Sequence, residues 1–288
     1  MFLQFISTRQ LLITLAGCLF SLSISAAPQN TPVPGGVVVL DIGDNQVASS
    51  ARFNNRKIAT IKNNNSEQLL VGLSLQTKPG KHYVTIKNTD GKKQKINFEV
   101  KPKTYKAQYL TIKNKRKVNP YQKDMERILS EKKRKGLAKK HWSSTDVQSD
   151  FVVPVNGRIS SIFGLRRFFN EQARRPHSGL DIAAPQGTPI KAVAAGKVIE
   201  SGDFFFSGNM IYIDHGQGLI SLYAHMHKIN VKPGDLIEQG QVIGQVGETG
   251  RVTGPHLHLA VLLNQTTVDP LSFLPQLSDK AAEYFKTN

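Results

Sequence analysis

The 288-residue sequence predicts a mainly β protein: a small N-terminal β-sandwich, a basic helical connector and a C-terminal all-β domain built around a groove. Three observations lead there. Short runs of alternating apolar and polar residues fill the first third, a Lys-rich stretch with helical spacing occupies the middle, and Gly-punctuated strands crowd the remainder.

The elements follow in order. Residues 1–26 read as a signal peptide: Arg9 closes a short leading region, residues 11–24 are largely apolar, and Ser25-Ala26-Ala27 offers small residues for cleavage. Leu15-Ala16-Gly17-Cys18 has the look of a lipoprotein box. The apolar run continues through Leu19 to Ile24, however, which favours ordinary cleavage after Ala26 and a periplasmic or secreted product without cysteine. Lipidation at Cys18 is the alternative. Beyond this segment no apolar run reaches the roughly 20 residues of a membrane-spanning helix, so no transmembrane segment is expected.

Residues 28–105 alternate in Gly36–Ile42, His82–Ile86 and Ile96–Val100, with turn pairs such as Asp90-Gly91 between strands, as in an accessory sandwich. Residues 106–149 form the connector. Asn119-Pro120 is an N-cap and first-turn pair, Tyr121, Met125, Ile128 and Leu129 share one face, and Lys132-Lys133-Arg134-Lys135-Gly136 closes the helix. That apolar face should pack on a domain. Residues 150–276 carry turns at Pro185-Gln186-Gly187, Lys232-Pro233-Gly234-Asp235 and Gly247-Glu248-Thr249-Gly250, and a tail with helical spacing over Ser278–Tyr284 fills 277–288.

Charge is uneven. Lys and Arg number 38 against 21 Asp and Glu, and residues 101–141 hold 15 of these bases against 3 acids. For a protein expected outside the cytoplasm the implied partner is an anionic envelope polymer. Few aromatics interleave these lysines and no nucleic-acid module is evident, so nucleic acid is not an expected partner.

The chemistry concentrates in His177-Ser178-Gly179-Leu180-Asp181 and His256-Leu257-His258. Residues two apart on a strand point to one face, so His256 and His258 enter the same cleft; one can bind metal while the other faces substrate. His177 and Asp181 flank a glycine and precede Ala-Ala-Pro-Gln-Gly, which places them on a loop running into a strand. Two imidazoles and a carboxylate suit zinc and leave its fourth tetrahedral position for water.

In their order and spacing, Gly157–Gly164, His177–Asp181, Ile213–Gly216, Leu222–His225, Lys232–Asp235 and Thr253–His258 resemble the catalytic domain of the lysostaphin/LytM-type zinc endopeptidases, peptidoglycan hydrolases. Residues 28–105 less distinctly resemble the accessory β domain of some Gram-negative members. The resemblance implies one Zn2+ per chain on the groove floor, held by His177, Asp181 and His258, with His225 and His256 as catalytic histidines. It implies hydrolysis of peptidoglycan peptide stems and cross-links by a zinc-activated water. The alternative is a non-catalytic relative that activates another wall hydrolase. All five site residues are present, which favours the enzyme.

Four further readings concern neighbours. Among Phe204-Phe205-Phe206 three consecutive aromatics cannot all face inward, so Phe205, with Asn209 nearby, is expected to line the substrate groove. Arg166 and Arg167 are expected either to meet substrate carboxylates or to stand as solvated loop charge. His227 reads as a surface or groove residue, and His215 as a turn residue or a hydrogen-bond partner behind the site.

Overall fold

A computed structural model describes residues 27–44, 48–63 and 66–287. The expected signal segment, residues 1–26 with Cys18, lies outside the described residues. No helix of the described residues is long and apolar enough to cross a membrane.

The N-terminal alternation builds two facing sheets. One orders the strands Val37–Asp44, Ser66–Gly72 and Ala59–Asn63; the other orders Arg56–Lys57, Ala48–Phe53, Gly80–Asn88 and Lys93–Val100. Val38, Phe53, Leu69, Val71, Val84 and Ile86 fill the space between them. Leu69-Leu70-Val71 is unbroken by polar residues because this strand is covered on both sides. Leu70, with Val37, Ala59 and Ile61, joins the core of the C-terminal unit instead.

Two amide side chains complete this docking by imitating a β ladder. Asn264 accepts from Gly72 N at 2.6 Å and donates to Gly72 O at 3.0 Å. Gln217 does the same to Thr60, at 3.0 and 3.3 Å. Both residues sit in turns with positive φ, a conformation that asparagine tolerates better than most residues.

The C-terminal unit is dominated by an antiparallel sheet in the order Leu236–Ile237, Gly196–Phe204, Gly208–Asp214, Ile220–Met226, His256–Leu263, Leu180–Ala183 and Arg158–Ser161, with Thr266–Val268 paired to His256–Leu263. Alternation divides its side chains. Leu180, Ile182, Tyr223, Leu257 and Leu259 point into the main core. Met210, Tyr212, Ile220, Ala224 and Leu262 point to the other face, where Ala138 of the connector helix covers them. The histidines of His256–Leu263 share that second face.

The connector differs from its expected form. A short helix Lys115–Val118 comes first, and the main helix runs Met125–Lys140, starting after Asn119-Pro120 and passing through Gly136. Asp124 delays the start, because its carboxylate accepts from Tyr121 N at 2.9 Å and pairs with Arg116. Gly136 has open space where a side chain would stand, so it costs about 1 kcal/mol of helix propensity without ending the helix. The expected apolar face docks only in part: Met125 and Ile128 are half-buried, whereas Tyr121 and Leu129 are each 57% exposed.

Polar contacts hold the helix as well. The buried Glu131 carboxylate accepts from Phe205 N at 2.8 and 2.9 Å, and Arg134 forms a two-pronged pair with Glu200 at 2.6 and 3.1 Å. All three arginines of 101–141 are paired with carboxylates, Arg116 with Asp124, Arg127 with Glu131 and Asp203, and Arg134 with Glu200. Arginine therefore fastens the connector, and the twelve lysines of 101–141 supply most of the field.

Candidate metal centre

Register brings the candidate ligands together. Asp181 lies directly opposite His258 on the neighbouring strand, and Ala183 opposite His256. His177 enters from the preceding loop, where Gly179 permits close approach: a Cβ there would stand 2.3 Å from Leu259 O and 2.8 Å from His258 Cε1. His177 Nε2 lies 3.0 Å from Asp181 Oδ1 and 3.1 Å from His258 Nδ1, and Asp181 Oδ1 lies 2.7 Å from His258 Nδ1. Ligand atoms around a tetrahedral zinc with bonds of about 2.0–2.1 Å are about 3.3 Å apart. The trio fits an ion of that size after small outward movements, and it is the only such group among the described residues.

Hydrogen bonds select the nitrogen that each ring presents. His177 donates Nδ1–H to Ile162 O at 2.6 Å, leaving Nε2 toward Asp181. His225 donates Nδ1–H to Thr249 O and His256 donates Nδ1–H to Gly254 O, each at 2.8 Å. Both rings thus keep a free Nε2, and that of His256 is 3.9 Å from Asp181 Oδ1.

His225 reaches this face by an unusual route. Its strand neighbour Tyr223 points into the main core, so plain alternation would bury His225 there too. The residue instead adopts φ +65°, beside a register shift between Asn209 and Ile211. The flip sets its ring centroid 4.9 Å from that of His256 and 5.9 Å from that of His258. A left-handed histidine at a bulge is local strain placed where it re-aims a side chain.

Burial keeps two of the centre's imidazoles, His177 and His225, neutral. It pushes His177 down to about 4, and it holds His225 well below the ordinary histidine range, helped by the neighbouring His256 and His258. Burial alone would raise the Asp181 carboxyl. His177 and Arg167 together outweigh it and hold that group well below the carboxylate range.

The remaining candidates separate. Phe205 is 3% exposed, with Lys117 Nζ 3.9 Å above its ring, so the connector seals it away and it does not line an open groove. Phe206 is the partly exposed member of the three, stacked against Arg251. Asn209 spends its amide protons on Met226 O and His227 O, a strand-fastening role. Arg166 is exposed and donates to Tyr105 O; its neighbour Arg167 is neither solvated loop charge nor turned to an outside carboxylate, but reaches Asp181. His227 is exposed.

His215 is buried at a turn, bonded to Ala195 O and Ser221 Oγ, each at 2.7 Å. Burial lowers it to about 4. Above pH ~6.5 both folded and unfolded chains carry it neutral, but between ~6.5 and ~4 only the unfolded chain takes up the proton. Stability should therefore fall on acidification through that window, by on the order of 3 kcal/mol from this residue. Urea midpoints at pH 7 and pH 5 check it: the drop should be smaller in His215→Gln, and an equal drop rejects the assignment.

An antiparallel sheet presenting a His-Asp-His cluster, with two further imidazoles on the same face, defines a centre of the metallopeptidase type. Residues 175–270 match the model of peptidase family M23, and residues 30–103 match that of the peptidase family M23 N-terminal domain. A solved structure from Pseudomonas aeruginosa assigned to peptidase M23 is 38% identical, covers 85% of this chain and 96% of its own, and superposes with a TM-score of 0.72. The chain belongs to peptidase family M23 and carries the family's N-terminal domain.

Among curated proteins, peptidoglycan DD-endopeptidase ShyC of Vibrio cholerae is 43% identical over 136 residues, covering 46% of this chain and 31% of that protein. DD-carboxypeptidase/endopeptidase Mpg of Neisseria meningitidis is 44% identical over 130 residues, 43% of this chain and 30% of that protein. The chain thus spans about a third of the length of the curated relatives it matches.

Proposed function

We propose that the chain is a zinc-dependent endopeptidase of the periplasm or cell exterior that hydrolyses peptide cross-links of bacterial peptidoglycan. The observation that carries this reading is the convergence of His177 Nε2, Asp181 Oδ1 and His258 Nδ1 within 3.1 Å, beside two imidazoles whose Nε2 atoms are free. Zinc bound there would polarise the scissile carbonyl and lower the pKa of water to about 7.

The chain's own groups do the rest. With Nδ1–H tied to a backbone carbonyl, His225 and His256 each present one Nε2 lone pair, the form a general base needs; once protonated, the same nitrogen can stabilise an oxyanion or pass the proton to the leaving amine. Relatives named as peptidoglycan DD-endopeptidases support the substrate class. The lysines of 101–141 supply attraction to anionic wall polymers, and the exposed Arg166, held to Tyr105 O through Nε, can turn its terminal nitrogens to a substrate carboxylate.

Digestion of purified sacculi, followed by mass spectrometry of new termini, tests the reading. Cleavage of cross-link peptide bonds is expected, abolished by a chelator, restored by zinc and slowed by added salt. Parallel digests of diaminopimelate-linked and glycine-bridged sacculi assign the bond. Sacculi that bind the protein but keep every cross-link would establish the non-catalytic alternative.

A further inference from the structure

Three residues outside both matched segments, 30–103 and 175–270, reach the ligands through a closed set of hydrogen bonds. Arg167 Nη2 donates to Asp181 Oδ2 at 2.7 Å and to Ser161 Oγ at 3.0 Å, while its Nε donates to Gln108 Oε1 at 3.1 Å. Ser161 Oγ donates to the same Gln108 oxygen at 3.2 Å and lies 3.1 Å from His177 Nδ1. One carbonyl oxygen of the connector therefore stands behind two candidate ligands at once.

The backbone explains why Gln108 is there. The connector strand Ala107–Leu110 pairs in parallel with Arg166–Phe169, and the register sets Gln108 beside Arg167. On this inner face Leu110 and Phe169 pack together with Ile112 and Val118. On the outer face Tyr109 stacks on Phe168 at 4.7 Å. Gln108 Nε2 also donates to the Tyr284 hydroxyl of the C-terminal helix at 3.4 Å, so both ends of its amide are held.

We propose that Arg167 and Gln108 are positioning residues for the metal: Arg167 occupies Asp181 Oδ2, leaving Oδ1 alone to ligate, and Gln108 keeps the guanidinium in that pose. Guanidinium naturally grips both oxygens of a carboxylate as a fork. Such a grip would take Oδ1, the atom facing His177 and His258. Gln108 blocks the side-on fork of Nε and Nη2 by engaging Nε, and in this pose a single nitrogen, Nη2, meets Asp181. The pair is well shielded, at 16% and 8% side-chain exposure, so the choice of geometry is not washed out by water. Partners behind metal ligands commonly govern affinity by 10- to 100-fold.

The inference rests on the zinc reading above, and the experiment separates the two. Zinc dissociation constants of the full chain are measured by chelator competition for the parent, Gln108→Leu, Gln108→Glu and Arg167→Lys, alongside the unfolding midpoint of each metal-free protein. Gln108→Leu should bind zinc about 10- to 100-fold more weakly. Gln108→Glu retains an acceptor for Nε and should stay within about threefold of the parent, a rescue that a purely structural role would not produce. Arg167→Lys keeps the charge but loses the fork, and should weaken zinc as Gln108→Leu does, which covers the case in which the leucine variant does not fold. Parent-like affinity in either weakened variant, or a glutamate variant as weak as the leucine one, overturns the proposal. A parent that binds no zinc removes the zinc reading itself.

Discussion

His177→Ala, Asp181→Ala and His258→Ala should each lose bound zinc and lower turnover on cross-linked peptide by at least ~10³-fold, because the ion's charge stabilisation is worth several kcal/mol of barrier. Each change removes one corner of a trio whose atoms lie within 3.1 Å of one another. The three should differ in stability. Asp181→Ala also strands Arg167, whose side chain is only 16% exposed, and an uncompensated buried charge costs about 3–5 kcal/mol. His177→Ala and His258→Ala leave no such charge. Metal analysis with denaturant unfolding checks both parts: a variant that keeps stoichiometric zinc is not missing a ligand, and equal stability of all three would deny the ion pair its buried character.

His225→Ala and His256→Ala should instead retain zinc while turnover falls by about 10²- to 10⁴-fold, the range for losing acid–base assistance. Their Nδ1 atoms are committed to Thr249 O and Gly254 O, and neither ring belongs to the ligand trio. Zinc loss as complete as that of His258→Ala in either variant would redraw the roles. A stability readout adds an independent check at position 225. Alanine there must hold φ +65°, whereas glycine does so freely, so His225→Gly should be more stable than His225→Ala by about 1 kcal/mol. The reverse order would show that the backbone relaxes when the imidazole is removed.

The sequence carries some of this site openly and hides the rest for identifiable reasons. His256 and His258 are legible because strand period alone places them on one face. That Asp181 meets His258 is a fact of cross-strand register, which the two segments do not contain separately. The position of His225 runs against period: alternation from Tyr223 sends it inward, and only a left-handed backbone brings it out.

Contacts from distant chain are harder still. Gln108 and Arg167 become neighbours through a parallel pairing with no hairpin signal, and Phe205 looks available until Lys117 is laid over it. Sandwich, connector and all-β domain are each visible in residue patterning. The connector's mode of attachment is not, since Glu131 and Arg134 read as ordinary surface charges on a helix whose leucines look ready to pack.

The conformation of His225 also bears on how such an enzyme changes over generations. Few residues other than glycine, asparagine and aspartate share a histidine's tolerance of that backbone, and glycine or asparagine there would preserve the bulge while deleting the imidazole. Loss of chemistry at this position is therefore nearly free of folding penalty, whereas loss at Asp181 is not. Descent from hydrolase to inert wall-binding scaffold has its shallowest path through residue 225, and only continued selection for turnover keeps a lineage from taking it.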